Sequence, residues 1–219
     1  MIAFKSILIV AAAAVFAACG SQSNSNDATS YANMNHNAPT VPSAERGTMD
    51  HGSMDHSTMK SSPNASDAQY DLQFIDTMIA HHQGAVDMAK LIQAKALSGE
   101  LKKLGINIIS SQEKEIAAMR AWRDQWFGGK PPAINMEMAG MAASMTGMDM
   151  KKLDSLSGKA FDLEFVKQMI PHHEGAVVMA KEALKRSKKD EIKTLAAVII
   201  RDQQAEIQQM TGWQQEWNK

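Results

Sequence analysis

From Tyr70 onward large apolar residues return at every third or fourth position, the spacing of one face of an α-helix. Leu72, Ile75, Ile79, His82, Val86 and Ala89 trace one such stripe, and LSGE at 97–100 breaks it with small residues and a glycine. A second stripe runs through Leu101, Leu104, Ile108, Gln112, Glu115, Met119, Trp122 and Trp126 and stops at FGGKPP. The pattern predicts a helical hairpin over 69–128. It then recurs at an offset of 91: Phe74 matches Phe165, Met78 Met169, Met88 Met179, Gln112 Gln203, Glu115 Glu206, Met119 Met210, Trp122 Trp213 and Trp126 Trp217. A register kept through both helices of a hairpin signals internal duplication. The second hairpin is expected over 158–219, with a linker at 129–157. Neither hairpin can bury its stripe alone, so the fold class is all-α, a four-helix bundle made of two duplicated hairpins.

The duplication also copies side chains that do not belong on an apolar stripe. Four of the seven histidines fall in two adjacent pairs, His81–His82 and His172–His173, in the segments MIAHHQGAVDMAK and MIPHHEGAVVMAK. Met78 and Met169 lie one turn before them and Met88 and Met179 follow, so sulfur and imidazole share a helix face. On the partner helices Glu115 with Met119, and Glu206 with Met210, stand in the facing stripes. A carboxylate there needs a cation, a donor or a metal. Two explanations remain open: core histidines hydrogen-bonded to glutamate, or metal ligands drawn from these imidazoles, thioethers and carboxylates. Gly84 and Gly175 would let another backbone approach, and Pro171 should kink its helix.

Composition sharpens the metal reading. There are 17 methionines against 5% aromatic residues. Six of them, Met136, Met138, Met141, Met145, Met148 and Met150, crowd into the linker, where a short Met-faced helix over the bundle and a soft-metal trap are both compatible with the pattern. Ahead of the first hairpin, residues 19–68 are rich in Ser, Asn, Thr, Pro and His and are expected to form a disordered tether. Within it MDHGSMDHSTM supplies Met49, His51, Met54, His56 and Met59, a mixture of thioether and imidazole suited to copper. Residues 1–18 carry one lysine, an apolar run and small residues before the only cysteine, Cys19. This fits a lipoprotein-type signal peptide, with Cys19 as the lipidated residue of an exported protein tethered to a membrane, facing the periplasm or the cell exterior. The net charge of −1 argues against a nucleic-acid partner.

The Met-Ile-x-His-His-x-Gly-Ala segments resemble the signature of the bacterial family catalogued as domain of unknown function 305, over about residues 69–219. The resemblance implies a ferritin-like four-helix arrangement in exported proteins, some of which are implicated in periplasmic copper binding and resistance. It carries over to Met78, His81, His82, Met169, His172 and His173; Ala80 departs from the proline found at Pro171. The expected cargo is copper, cuprous or cupric, or silver, with no organic cofactor. Partners would be the metal, a membrane and a copper exporter or another periplasmic copper protein. A sequestering protein or chaperone is favoured. A ferritin-like oxidoreductase is the competing class, weakened because di-iron bundles need a Glu-x-x-His motif where this chain has Thr77. A structural bundle with a metal-scavenging tail is the third reading.

Overall fold

The computed structural model describes residues 59–219. After a short 3₁₀ turn at Ala65–Asp67 come α1 (Tyr70–Lys95), α2 (Gly99–Phe127), α3 (Met141–Met145), α4 (Met150–Ser155), α5 (Gly158–Arg186) and α6 (Asp190–Trp217). The long helices α1 and α2 form one antiparallel hairpin and α5 and α6 the other, giving an all-α, ferritin-like four-helix bundle. Among the described residues no helix is long and apolar enough to cross a membrane.

Each reversal is fixed by a polar group that satisfies helix-end amides. At the first, Ser98 caps α2 by accepting from the Leu101 amide at 3.1 Å, while buried Asp162 of α5 accepts from the amides of Leu97 and Ser98 at 3.0 and 2.8 Å. One carboxylate thus ties the turn of the first hairpin to the start of the second. At the other reversal the Ser187 hydroxyl accepts from the Lys189 amide at 3.1 Å.

Two apolar clusters fill the bundle. The first joins the N-terminal half of α1 (Phe74, Ile75, Met78), the end of α2 (Met119, Phe127), the C-terminal half of α5 (Ala176, Met179, Ala180) and the start of α6 (Ile192, Ile199). The second holds the complementary halves, with Met88 and Ile92, Leu101 and Ile108, Phe165 and Met169, and Met210 and Trp213. That exchange of halves means α1 and α5 run antiparallel, related by an approximate two-fold axis that maps one hairpin on the other.

The segment between the hairpins is pinned to α1 by side chains that would otherwise be anomalous in a core. Asp76 accepts from the Ala133 amide at 2.8 Å and from Arg123 at 3.0 Å, and Thr77 accepts from the Asn135 amide at 2.9 Å. The segment then crosses to α5. Gly140, at φ 94°, turns the chain into α3, and Gly175 is where α3 lands: a Cβ there would sit 2.3 Å from the Ser144 Cβ and 2.6 Å from the Gly140 carbonyl oxygen. Met141 and Ser144 are fully buried beneath it. The methionine-rich linker is thus a covering layer on the bundle, with Met138, Met141 and Met148 in its core.

The expected tether ends earlier than its composition suggests. Met59 packs on the first apolar cluster, the Ser62 amide donates to the Ile134 carbonyl at 2.8 Å, and Ala65 is buried. Short residues suffice here because backbone and hydroxyl groups, rather than large side chains, make the contacts. Residues 1–58, which hold the proposed signal peptide and most of the tether, lie outside the described residues. α5 continues as helix through Pro171.

Gly175→Ala should lower stability by about 1–3 kcal/mol, because the methyl meets backbone that cannot rotate away. Urea unfolding checks this, with helicity expected to stay near that of the unsubstituted protein.

Candidate metal centre at the bundle waist

Between the two apolar clusters lies a polar layer. His81 and His82 come from the middle of α1, Gln112 and Glu115 from the middle of α2, His172 and His173 from the middle of α5, and Gln203 and Glu206 from the middle of α6. The four imidazoles are essentially fully buried. Within each hairpin the second histidine meets its glutamate: His82 Nε2 to Glu115 Oε2 and His173 Nε2 to Glu206 Oε2, both 2.7 Å. Across the two-fold axis the first histidines face each other, with the His81 and His172 rings 3.8 Å apart at their centroids and tilted by 37°.

These contacts assign roles to the ring nitrogens. With Nε2–H donated to a carboxylate, Nδ1 is the remaining ring nitrogen of His82 and His173, and neither Nδ1 has a partner in hydrogen-bond geometry. Metal-bound histidines commonly use one nitrogen for the ion and give the other to a carboxylate, which orients the ring and raises its basicity. Neither ring nitrogen of His81 finds a hydrogen-bond partner, and the Oε1 atoms of Gln112 and Gln203 also lack one. Burial holds His81 well below the ordinary histidine pKa of 6.5, helped by the electrostatic influence of His172, His82 and His173; a backbone group of His172 opposes the shift without reversing it. Its imidazole is therefore neutral, the form that coordinates metal.

Of the predicted ligands, the histidines and glutamates converge on this layer. The methionines flank it: Met78, Met119 and Met179 pack in the first apolar cluster, and Met88, Met169 and Met210 in the second. Met78 and Met169 each precede a waist histidine by one helical turn. Met59 lies on the first cluster, outside the layer. Cys19, Met49, His51, Met54 and His56 fall outside the described residues. Gln112 and Gln203 belong to the layer, a role their duplication signalled. Met145 was not distinguished from its neighbours in sequence, yet it packs against both apolar clusters and so spans the waist.

The donor set limits which ion could fit. Among the described residues no group of three or more His, Cys, Asp or Glu side chains is arranged to hold a metal. A hard, high-coordination site of carboxylate and imidazole is therefore not prebuilt. Paired buried imidazoles with thioethers one turn away suit a soft ion content with few ligands, such as Cu(I) or Ag(I).

A buried helical bundle with a duplicated histidine–glutamate waist defines the class, and comparison with known proteins gives the family. The chain belongs to the family described as domain of unknown function (DUF305), which matches residues 19–123 and again residues 71–214. Solved structures of CopM are similar: the Cu(I)-bound form at 42% identity, covering 68% of this chain and 98% of that one with a TM-score of 0.59, and the Cu(II)-bound form at 44%, covering 67% and 97%, also at 0.59. A DUF305 protein from Streptomyces coelicolor shares 30% identity over 68% of this chain and 94% of its own, with a TM-score of 0.61. No curated protein matches.

The His81 environment generates a pH dependence. Above about 6.5 this ring is neutral in both folded and unfolded chains. Below it the unfolded chain takes up a proton that the folded chain refuses until much lower pH, so stability falls with pH across that interval. Denaturant unfolding of the metal-free protein at about pH 7.5 and about pH 5 should show the loss, and His81→Leu should reduce it.

Proposed function

We propose that this protein is an exported copper-binding protein that also accepts silver and serves in metal tolerance, by sequestering the ion or passing it to a copper exporter or another periplasmic copper protein. One observation carries the reading: both ring nitrogens of His81 and the Nδ1 atoms of His82 and His173 are buried without hydrogen-bond partners, gathered in one layer and flanked by thioethers. Each unsatisfied buried polar group costs about 1–3 kcal/mol, a cost that a bound ion would offset. The similarity to CopM, solved in Cu(I)-, Cu(II)- and Ag-bound forms, supports the same cargo.

In this reading His81 and His172 are the primary ligands, with Met78 and Met169 nearest along the chain. Glu115 and Glu206 orient His82 and His173, which complete the set through Nδ1. Met88, Met119, Met179 and Met210 are reserve thioethers in the adjoining cores. The segment holding Met49, His51, Met54, His56 and Met59 is a second capture element outside the bundle. Export is supported by the leader-like N-terminus and by the description of the Streptomyces relative as secreted. A lipid on Cys19 would hold the protein at the membrane, so that Cys19→Ser releases it into the soluble fraction.

Competitive titration of the full chain with Cu(I) and Ag(I) tests the reading. The pair His81→Leu and His172→Leu should weaken the tightest site about ten-fold or more while the bundle remains folded. Deleting residues 49–59 should lower the stoichiometry and leave that tightest site in place. Unchanged affinity in the double variant would leave the waist as a structural layer and refute the proposal.

A further inference from the structure

The segment between the hairpins is tied down at its two ends and not in its middle. Upstream, Asp76 and Thr77 accept from the amides of Ala133 and Asn135, and the Asn135 side chain donates to Gln73 at 2.8 Å. Downstream, the Gln168 side chain accepts from the Asp149 amide at 2.9 Å and donates to the Asp149 carbonyl at 3.4 Å. Between these clamps runs a strap, residues 138–148, with no charged side chain. Among the described residues no hydrogen bond or ion pair joins it to α1, α2, α5 or α6. The amides of Met141, Ser144, Thr146 and Met148 and the hydroxyls of Ser144 and Thr146 all find their acceptors inside the strap.

Apolar contact alone holds the middle of the strap against the bundle. Met138 and Met141 are buried in the first apolar cluster, Met148 in the second, and half-buried Met145 touches both, so the strap crosses the waist. It crosses where Gly140 and Gly175 meet backbone to backbone, two residues beyond His173. Thioether side chains are flexible and re-pack readily. Gly140 and Gly147, at φ 94° and 83°, bound α3 with backbone that rotates freely. Lifting the strap therefore breaks no polar bond to the helices, and the clamps at Asn135 and Asp149 stay closed. We propose that residues 138–148 are the gate of the waist: the strap lifts from α5 as a unit, admits a soft cation beside His172 and His173, and closes over it. Met145, reaching from the surface to both clusters, is the thioether that an entering ion meets before the buried rings. The nature of the ion rests on the proposed function; the opening of the strap does not.

Hydrogen exchange of the full, metal-free chain reads the opening without reference to metal. The amides of Met141, Ser144, Thr146 and Met148 should exchange together, about ten-fold or more faster than those of residues 176–180 in α5. A methyl on Gly147 meets open space but sits on left-handed backbone, so Gly147→Ala strains only the closed strap. It should speed strap exchange about five-fold or more, leave α5 unchanged, and quicken both uptake and release of Ag(I) exchanged with a competing chelator by a similar factor. If that variant perturbs the fold, Met141→Ala, which removes the most deeply buried thioether of the strap, should act in the same direction. Met145→Leu keeps the apolar packing and removes the sulfur, so strap exchange should stay within about two-fold while Ag(I) uptake slows by about five-fold or more. Exchange of the strap only in step with α5, or faster strap exchange with unchanged Ag(I) rates, would overturn the gate, and unchanged uptake in Met145→Leu would overturn the part given to its thioether. Independent opening of the strap with no Ag(I) reaching the waist rings would instead count against the proposed function.

Discussion

The hydrogen bond between a buried imidazole and a half-sheltered carboxylate, made once in each hairpin, is the constraint around which this bundle is organised. Glu115 and Glu206 keep about a tenth to a sixth of their side-chain surface in contact with solvent, at 12% and 17%, while their histidine partners have none. That gradient lets each carboxylate stay hydrated on one side while fixing a ring on the other. Four imidazoles and two glutamines can then occupy the middle of a bundle whose two ends are packed with Phe, Ile, Leu and Met. The layer divides the core in two, and the apolar clusters on either side supply the stability that a polar waist does not.

Most of the architecture was legible because it follows from periodicity. The stripes from Leu72 to Ala89 and from Leu101 to Trp126 require helices, and their copies at the same offset require a bundle. The pairing of His82 with Glu115 was available as one of two alternatives. What one-dimensional spacing could not give was contact across the two-fold axis. Nothing in the chain says that His81 faces His172, because the offset relates equivalent positions and not touching ones. Likewise Met88 and Met179 share a helix face with the histidines yet pack in opposite apolar clusters, two to three turns from the ends of their helices. Thr77, which looked like a failed metal ligand, holds the Asn135 amide and so has a structural task. Residues 59–68 read as tether because small polar residues lower hydrophobicity; their order comes from hydroxyl and backbone bonds that a hydropathy pattern does not register.

Duplication gives the waist its chemistry. Each hairpin alone brings one carboxylate-bound imidazole and one further buried ring. Only the pair brings His81 against His172, where burial and the neighbouring rings disfavour protonation of His81. Such a layer tolerates a soft cation better than a proton, since thioethers one turn away can share an ion but do not bind protons at neutral pH. The close approach at Gly175 serves the same end by bringing the covering layer, and Met145 with it, over the edge of that layer.

The central claim is that the waist rings themselves take the ion. Long-range proton–nitrogen correlation of the imidazole rings, recorded as the full chain is titrated with Ag(I), addresses it directly. The account predicts that the ring nitrogens of His81 and His172 shift with the first equivalent, with Nδ1 of His82 and His173 following. Movement confined to His51 and His56, with all four waist rings unchanged, would contradict it.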